Sequence, residues 1–216
     1  MRIAAISDLH GYLPAEIPAA DLVIIAGDVC PDVRGTAWPG LRHMAATNQA
    51  AWLAGTFAPW LERLETNHIV LCWGNHDYVG EFAPEWLPPL RADVITDDEV
   101  TIGGLRLYGM PWTFTIPGVW AFDVPPERIA MYAQAIPEGI DILVTHGPPY
   151  GRLDRVVSGE RAGSRALAEA VARVRPRLHV FGHIHEARGQ TGNSYNVALV
   201  DAQYQPYDLP VTMIDL

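Results

Sequence analysis

The chain has 216 residues, 49% hydrophobic and 19% charged, a balance that excludes disorder and allows one sizeable core. Lys plus Arg number 15 against 25 Asp plus Glu, and the net charge of -10 argues against a broad grip on a nucleic-acid backbone. Only Cys30 and Cys72 occur, so neither a disulfide framework nor a thiolate zinc knot is expected, and the opening apolar run is too short for a signal sequence or membrane span. A soluble, cytoplasmic protein is the expectation.

Along the chain, short Val- and Ile-rich runs stop abruptly at polar residues. Residues 2–6 end before Ser7 and Asp8, residues 22–26 before Gly27 and Asp28, and residues 69–73 before Gly74 and Asn75. Such runs suit strands buried on both faces. Residues 31–46, with Trp38 and His43, read as a loop long enough to serve as a lid. A helical pattern follows over 48–64, where Leu53, Phe57, Trp60, Leu61 and Leu64 share a face. Residues 94–96, 100–102 and 105–108 read as strands, the last two joined by a Gly103-Gly104 hairpin turn.

Pro125 and Pro126 open a second helix that Pro137 stops, and the strand over 140–145 then runs into His146. Ser164 is a candidate N-cap for a third helix ending before Pro176. The strand over 178–181 meets Gly182 and His183, and strands over 194–200 and 211–214 close the chain. Strands and helices alternate without repeats or linkers, so 1–216 reads as a single domain.

Five of the predicted strand ends carry metal-ligand chemistry: Asp8 and His10, Asp28, Asn75 with His76 and Asp77, His146, and His183 with His185. In open α/β sheets such positions converge on one crevice outside the carboxyl ends of the strands. Asp8, His10, Asp28, Asn75, His146, His183 and His185 are too many ligands for a four-coordinate site, which favours two ions with a bridging carboxylate. Two cations about 3.5–4 Å apart clamp the attacking and leaving oxygens of a phosphoryl displacement.

The ordered set Asp-x-His, Gly-Asp, Gly-Asn-His-Asp, His and Gly-His-x-His resembles the calcineurin-like metallophosphoesterase superfamily. The stretches 108–112, 145–149 and 181–186 are similar to its branch of small phosphodiesterases that includes the metallophosphoesterase-domain proteins. The resemblance implies an α/β fold, a four-layer αββα sandwich of two mixed β-sheets flanked by helices, without a separate cap domain. It implies two divalent ions, manganese favoured over iron, zinc, cobalt or nickel. Asp8, His10, Asp28 and His185 would hold one ion, and Asp28, Asn75, His146 and His183 the other. Catalytic His76 would sit beside the leaving group as proton donor or transition-state stabiliser, with Asp77 orienting it by accepting its other ring hydrogen. Every metal position is filled, including His183, which some relatives lack.

The function implied is a dinuclear phosphoesterase, foremost a phosphodiesterase in which a metal-bound hydroxide attacks the phosphorus of a small, nucleotide-type diester. A phosphomonoesterase, protein phosphatase, nuclease or nucleotide-binding protein with little turnover are the alternatives. Against a protein phosphatase, Gly27-Asp28-Val29-Cys30 lacks the Asp-Arg-Gly continuation; against a nuclease, no basic stripe occurs. No membrane partner is expected. His43, His68 and His179 read as structural or solvated. Tyr78, Trp112 and Phe114 are candidates either for stacking on substrate or for packing, and Arg34, Arg152 and Arg155 either for phosphate contacts or for solvent.

Overall fold

Apolar runs that cannot turn a polar face to water need cover on both sides, and the computed structural model, which describes residues 1–32, 41–114 and 119–216, supplies it with layers. The first half contains β1 (Arg2–Ile6), β2 (Ala20–Ala26), α1 (Leu41–Trp52), α2 (Ala58–Leu61), β3 (Thr66–Cys72), α3 (Tyr78–Phe82), β4 (Asp93–Val94), β5 (Asp98–Ile102) and β6 (Leu105–Met110). The second half contains β7 (Thr113–Phe114), β8 (Asp123–Val124), α4 (Pro126–Ala135), β9 (Ile142–Thr145), α5 (Arg165–Val174), β10 (Leu178–Phe181), β11 (Gly189–Thr191), β12 (Ser194–Asn196) and β13 (Thr212–Asp215).

One sheet has the order β13-β1-β2-β3-β4, parallel except for β13 at its edge. The other has the order β11-β12-β10-β9-β6-β5, a parallel centre with an antiparallel pair at each edge. Ile3, Leu22, Ile24 and Val70 of the first meet Leu107, Ile142, Val144 and Val180 of the second in the central core. The outer face of the first sheet, with Ile6, Val23, Ile25 and Leu71, packs on Leu53, Phe57, Trp60 and Leu61. Tyr108, Met110 and Leu143 face Ala133 of α4 and Leu167 and Val171 of α5. This is the expected αββα sandwich of two mixed sheets.

Local signals behave as their chemistry dictates. Gly103 and Gly104 both take positive φ, at 57° and 81°, and bring Ile102 opposite Leu105. The Ser164 side chain accepts the Leu167 N–H at 3.2 Å and caps α5. Among the described residues no helix is long and apolar enough to cross a membrane.

Two boundaries differ most from the sequence pattern. The helix expected over 48–64 begins at Leu41, so the last part of the anticipated loop is helical, while 33–40 lie outside the described residues. It widens to a π-helical turn at Leu53–Phe57 just before Pro59, which has no N–H to continue the ladder. The strand expected over 194–200 ends at Asn196 because the chain changes partners: Ser7 N–H donates to the Val197 carbonyl at 3.0 Å and Leu199 N–H to the Ser7 carbonyl at 2.7 Å. That crossover ties the end of β1 to the second sheet.

Candidate metal centre

The ends of β1, β2, β3, β9 and β10 bring Asp8, His10, Asp28, Asn75, His76, His146, His183 and His185 into one crevice. The turns there are forced. Asp8, His10, Asp28 and His183 have φ of 55°, 45°, 52° and 69°, a left-handed conformation costing on the order of 1–3 kcal/mol each outside glycine. Backbone bonds hold them: Asp8 N–H donates to the Gly27 carbonyl and His10 N–H to the Asp28 carbonyl, both at 2.9 Å. His183 N–H reaches both Asp8 carboxylate oxygens at 3.0 Å. Gly74 and Gly182 permit the approach, since a Cβ would strike the Asp28 carboxylate from the first and the Asp8 carboxylate from the second.

Potential ligand atoms fall into sets. Asp8, His10 and His185 form one, and Asp28, His146 and His183 another. Asp28 Oδ2 lies 3.2 Å from His146 Nε2 and 3.8 Å from His10 Nε2, so it reaches both. Asn75 Oδ1 is 3.0 Å from His146 Nε2, and His185 Nε2 is 3.3 Å from both Asp8 Oδ1 and His10 Nε2. The imidazoles are aimed from behind. Nδ1–H of His146 donates to the Ala26 carbonyl at 3.0 Å and that of His185 to the Asp201 carbonyl at 3.1 Å, leaving each Nε2 turned inward.

Both carboxylates are buried, and their ion-pairing partners among the described residues are imidazoles alone. Burial opposes ionisation of Asp8, but His185 and His146 hold its carboxyl down at about 2; Asp28, beside His146 and His76, lies well below the usual range. Burial likewise works against protonated His146 and His185, and the carboxylates overcome it, Asp28 raising the first and Asp8 the second to about 9. His183 is pushed down to about 3 by burial and by the charge of His146. Two anionic carboxylates facing imidazole nitrogens, with no other fixed cation paired to them among the described residues, form a donor set suited to divalent ions of borderline softness.

His76 stands beside this set. Its backbone N–H donates to Asp28 Oδ1 at 2.7 Å, its ring rests 4.6 Å from Trp120, and its Nε2 is 4.0 Å from Asp28 Oδ2. The expected ring partner is different. Asp77 does not touch the imidazole; its Oδ1 accepts the Val29 and Cys30 N–H groups at 2.9 Å, and its Oδ2 accepts the Gly74 N–H at 2.8 Å. With both oxygens committed, Asp77 ties the Asp28 turn to the Asn75 turn. The ring hydrogen of His76 goes to Asp32, at 2.6 Å from Nδ1, and the same oxygen accepts Nδ1–H of His10 at 3.0 Å.

Asp32 is a residue that sequence reasoning missed; its one signal is an acidic side chain four residues after Asp28. Gln49 is another, buried and bridging the His76 carbonyl at 2.7 Å and the Val79 N–H at 3.1 Å. Tyr204 places its ring 4.7 Å from His10 and 5.2 Å from His185.

The remaining candidates are dispersed. Trp112 stacks on Tyr132 and donates to Asp97 at 2.5 Å, and Tyr78 is buried with its hydroxyl on the Val119 carbonyl. Arg152 donates to Ser194 and Arg155 to the Gly159 carbonyl, while Arg34 lies outside the described residues. His43 is in α1 rather than a loop, His68 is exposed on β3, and His179 is buried against Thr145 at 2.9 Å.

Residues 1–187 match the family model described as calcineurin-like phosphoesterase. The chain is 32% identical over 248 residues to human metallophosphoesterase domain-containing protein 1, covering 100% of this chain and 71% of that protein. It is 28% identical to a UPF0046 protein of Caenorhabditis elegans, covering 98% and 82% respectively. Among solved structures it resembles TT1561 of Thermus thermophilus with a TM-score of 0.58 at 16% identity, over 99% of this chain and 98% of that one, a likeness of fold.

Proposed function

The chain belongs to the calcineurin-like phosphoesterase family, metal-dependent hydrolases of phosphoric esters, and within it we propose a dinuclear phosphodiesterase acting on small, nucleotide-type diesters. The observation that carries this reading is the Asp28 carboxylate, which reaches His146 of one imidazole set and His10 of the other. In it, Asp8, His10, Asp28 and His185 hold one ion, and Asp28, Asn75, His146 and His183 hold the other. When bound, two divalent ions, manganese foremost, supply Lewis acidity toward the phosphoryl group and toward water. His146 and His185 keep their Nδ1 protons on backbone carbonyls and present Nε2. Asp32 holds the Nδ1 proton of His76, so Nε2 is the atom left to donate a proton to the departing oxygen. Residues 1–216 act as one domain in this reading, without a separate cap.

The test is the purified chain with Mn²⁺, its metal content measured and bis(4-nitrophenyl) phosphate and 4-nitrophenyl phosphate offered separately. Faster hydrolysis of the diester is expected. Asp28→Asn should lose metal and rate together, whereas His76→Ala should lose rate and keep metal. Failure to hydrolyse either ester would sink the enzyme reading, and a monoester preference would replace the diesterase with a phosphomonoesterase.

A further inference from the structure

The loop that carries His146 continues through Gly147 and Pro148 to Tyr150, where the surface opens into a cavity of about 470 Å³. Phe114, Ile129, Tyr150 and Ser164 wall it, and the exposed Arg161 and Arg165 border it. A narrow gap that shares Phe114, Ile129 and Ser164 with this cavity is also lined by Gly147 and His183, so the cavity adjoins the metal centre. Four residues of chain, at most about 14 Å, separate His146 from Tyr150. The volume falls within the range of about 300–1,000 Å³ that small-molecule sites occupy.

The two arginines are not equivalent. Arg161 is committed, donating at 2.6 Å to the buried carboxylate of Asp154, whose other oxygen accepts the Gly151 N–H at 2.9 Å. Arg165 has its guanidinium carbon 3.9 Å from the centre of the Tyr150 ring, and that guanidinium makes no hydrogen bond or ion pair with any described residue. A stacked guanidinium keeps its in-plane N–H donors available, in the fork that suits a carboxylate or phosphate. In a chain of net charge -10, an uncommitted cation beside an aromatic cavity attracts a negative group to one place.

We propose that this cavity is a second substrate subsite, taking a flat apolar or aromatic arm of the phosphoester whose further anionic group, carboxylate or phosphate, is received by Arg165. The proposal rests on the phosphoesterase reading of the metal centre and adds the substrate class, esters with a second negative charge beyond an aromatic spacer.

The test uses the full chain loaded with Mn²⁺ and matched diesters sharing a 4-nitrophenyl leaving group, with a 4-carboxyphenyl or 4-carbamoylphenyl second arm. The unmodified protein should favour the carboxylate over the carbamoyl arm about tenfold in kcat/KM, chiefly through KM. R165A should bring that ratio to about one and R165E below it, whereas R165K, without the planar fork, should restore it only in part. A ratio unmoved by R165E overturns the subsite even when both diesters are hydrolysed. If neither diester is hydrolysed, the phosphodiesterase reading fails by itself, and calorimetry with 4-phosphonobenzoate still decides the subsite. Tighter binding than phenylphosphonate that R165E abolishes supports it, and equal binding of the two phosphonates by the unmodified protein overturns it.

Discussion

Replacing Asp77 by Asn separates two roles open to a carboxylate that follows a catalytic imidazole in sequence. Its Oδ1 serves Val29 and Cys30 N–H, and its Oδ2 serves Gly74 N–H. An asparagine oxygen could keep the first pair, but its amide NH₂ would face the Gly74 N–H and leave a buried donor without an acceptor, costing about 1–3 kcal/mol. Exchanging a charged acceptor for a neutral one weakens the remaining two bonds by roughly 0.5–1 kcal/mol each. The loss is about 2–5 kcal/mol, and in a chain of this size each kcal/mol lowers Tm by roughly 2–4 °C, so a fall on the order of 5–15 °C is expected. Scanning calorimetry of the metal-free protein measures it, and Asp77→Ala, which loses all three bonds, should fall further. An unchanged Tm combined with a displaced pH-rate profile would refute the tie between turns and return Asp77 to the imidazole.

Asp32→Asn removes the charged partner of the His76 ring and should lower kcat about ten- to a hundredfold with KM nearly constant; a change confined to KM would contradict its positioning of the proton donor. Burial and the Arg152 charge hold His179 near 3, whereas the ordinary value is 6.5. Between those values the unfolded chain takes up a proton that the folded one refuses, so stability falls as pH drops, by about 1.4 kcal/mol per pH unit. Urea denaturation of metal-free His179→Leu and unmodified protein at pH 6.5 and 4.5 should show their difference shifting by about 2–3 kcal/mol in favour of the variant, and a pH-independent difference would refute it. Gly182→Ala drives a Cβ into the Asp8 carboxylate and Ser7 hydroxyl, so metal affinity should drop roughly 10–100-fold while the far-ultraviolet circular dichroism is retained. Unimpaired metal titration would show that the close approach is dispensable.

The strand ends are legible in the sequence because a strand covered on both faces must be apolar throughout, and an abrupt change to Asp, Asn or His marks where that cover stops. Asp8, Asp28, Asn75, His146 and His183 stand out for this reason. Helix ends with dedicated chemistry are similarly visible: Ser164 caps α5, and Pro126 starts α4. The start of α1 is not, since residues 41–47 carry no strong apolar period, and what holds them is distant in sequence: Arg42 lies over the Phe82 ring, and Ala45 and Ala46 are buried in the core.

Local sequence thus carries which residues end strands, which alternate in burial and which break helices, because those signals are read within one turn or one pleat. Partner choice within the crevice is a different matter. Asp77 adjoins His76 in the chain yet points to the Val29 and Cys30 amides, while Asp32, forty-four residues away, takes the ring hydrogen. The free state of Arg165 and the commitment of Arg161 likewise depend on where Tyr150 and the buried Asp154 sit. A side chain's direction follows from the left-handed turns and the packing of two sheets against each other, and these long-range constraints have no local signature.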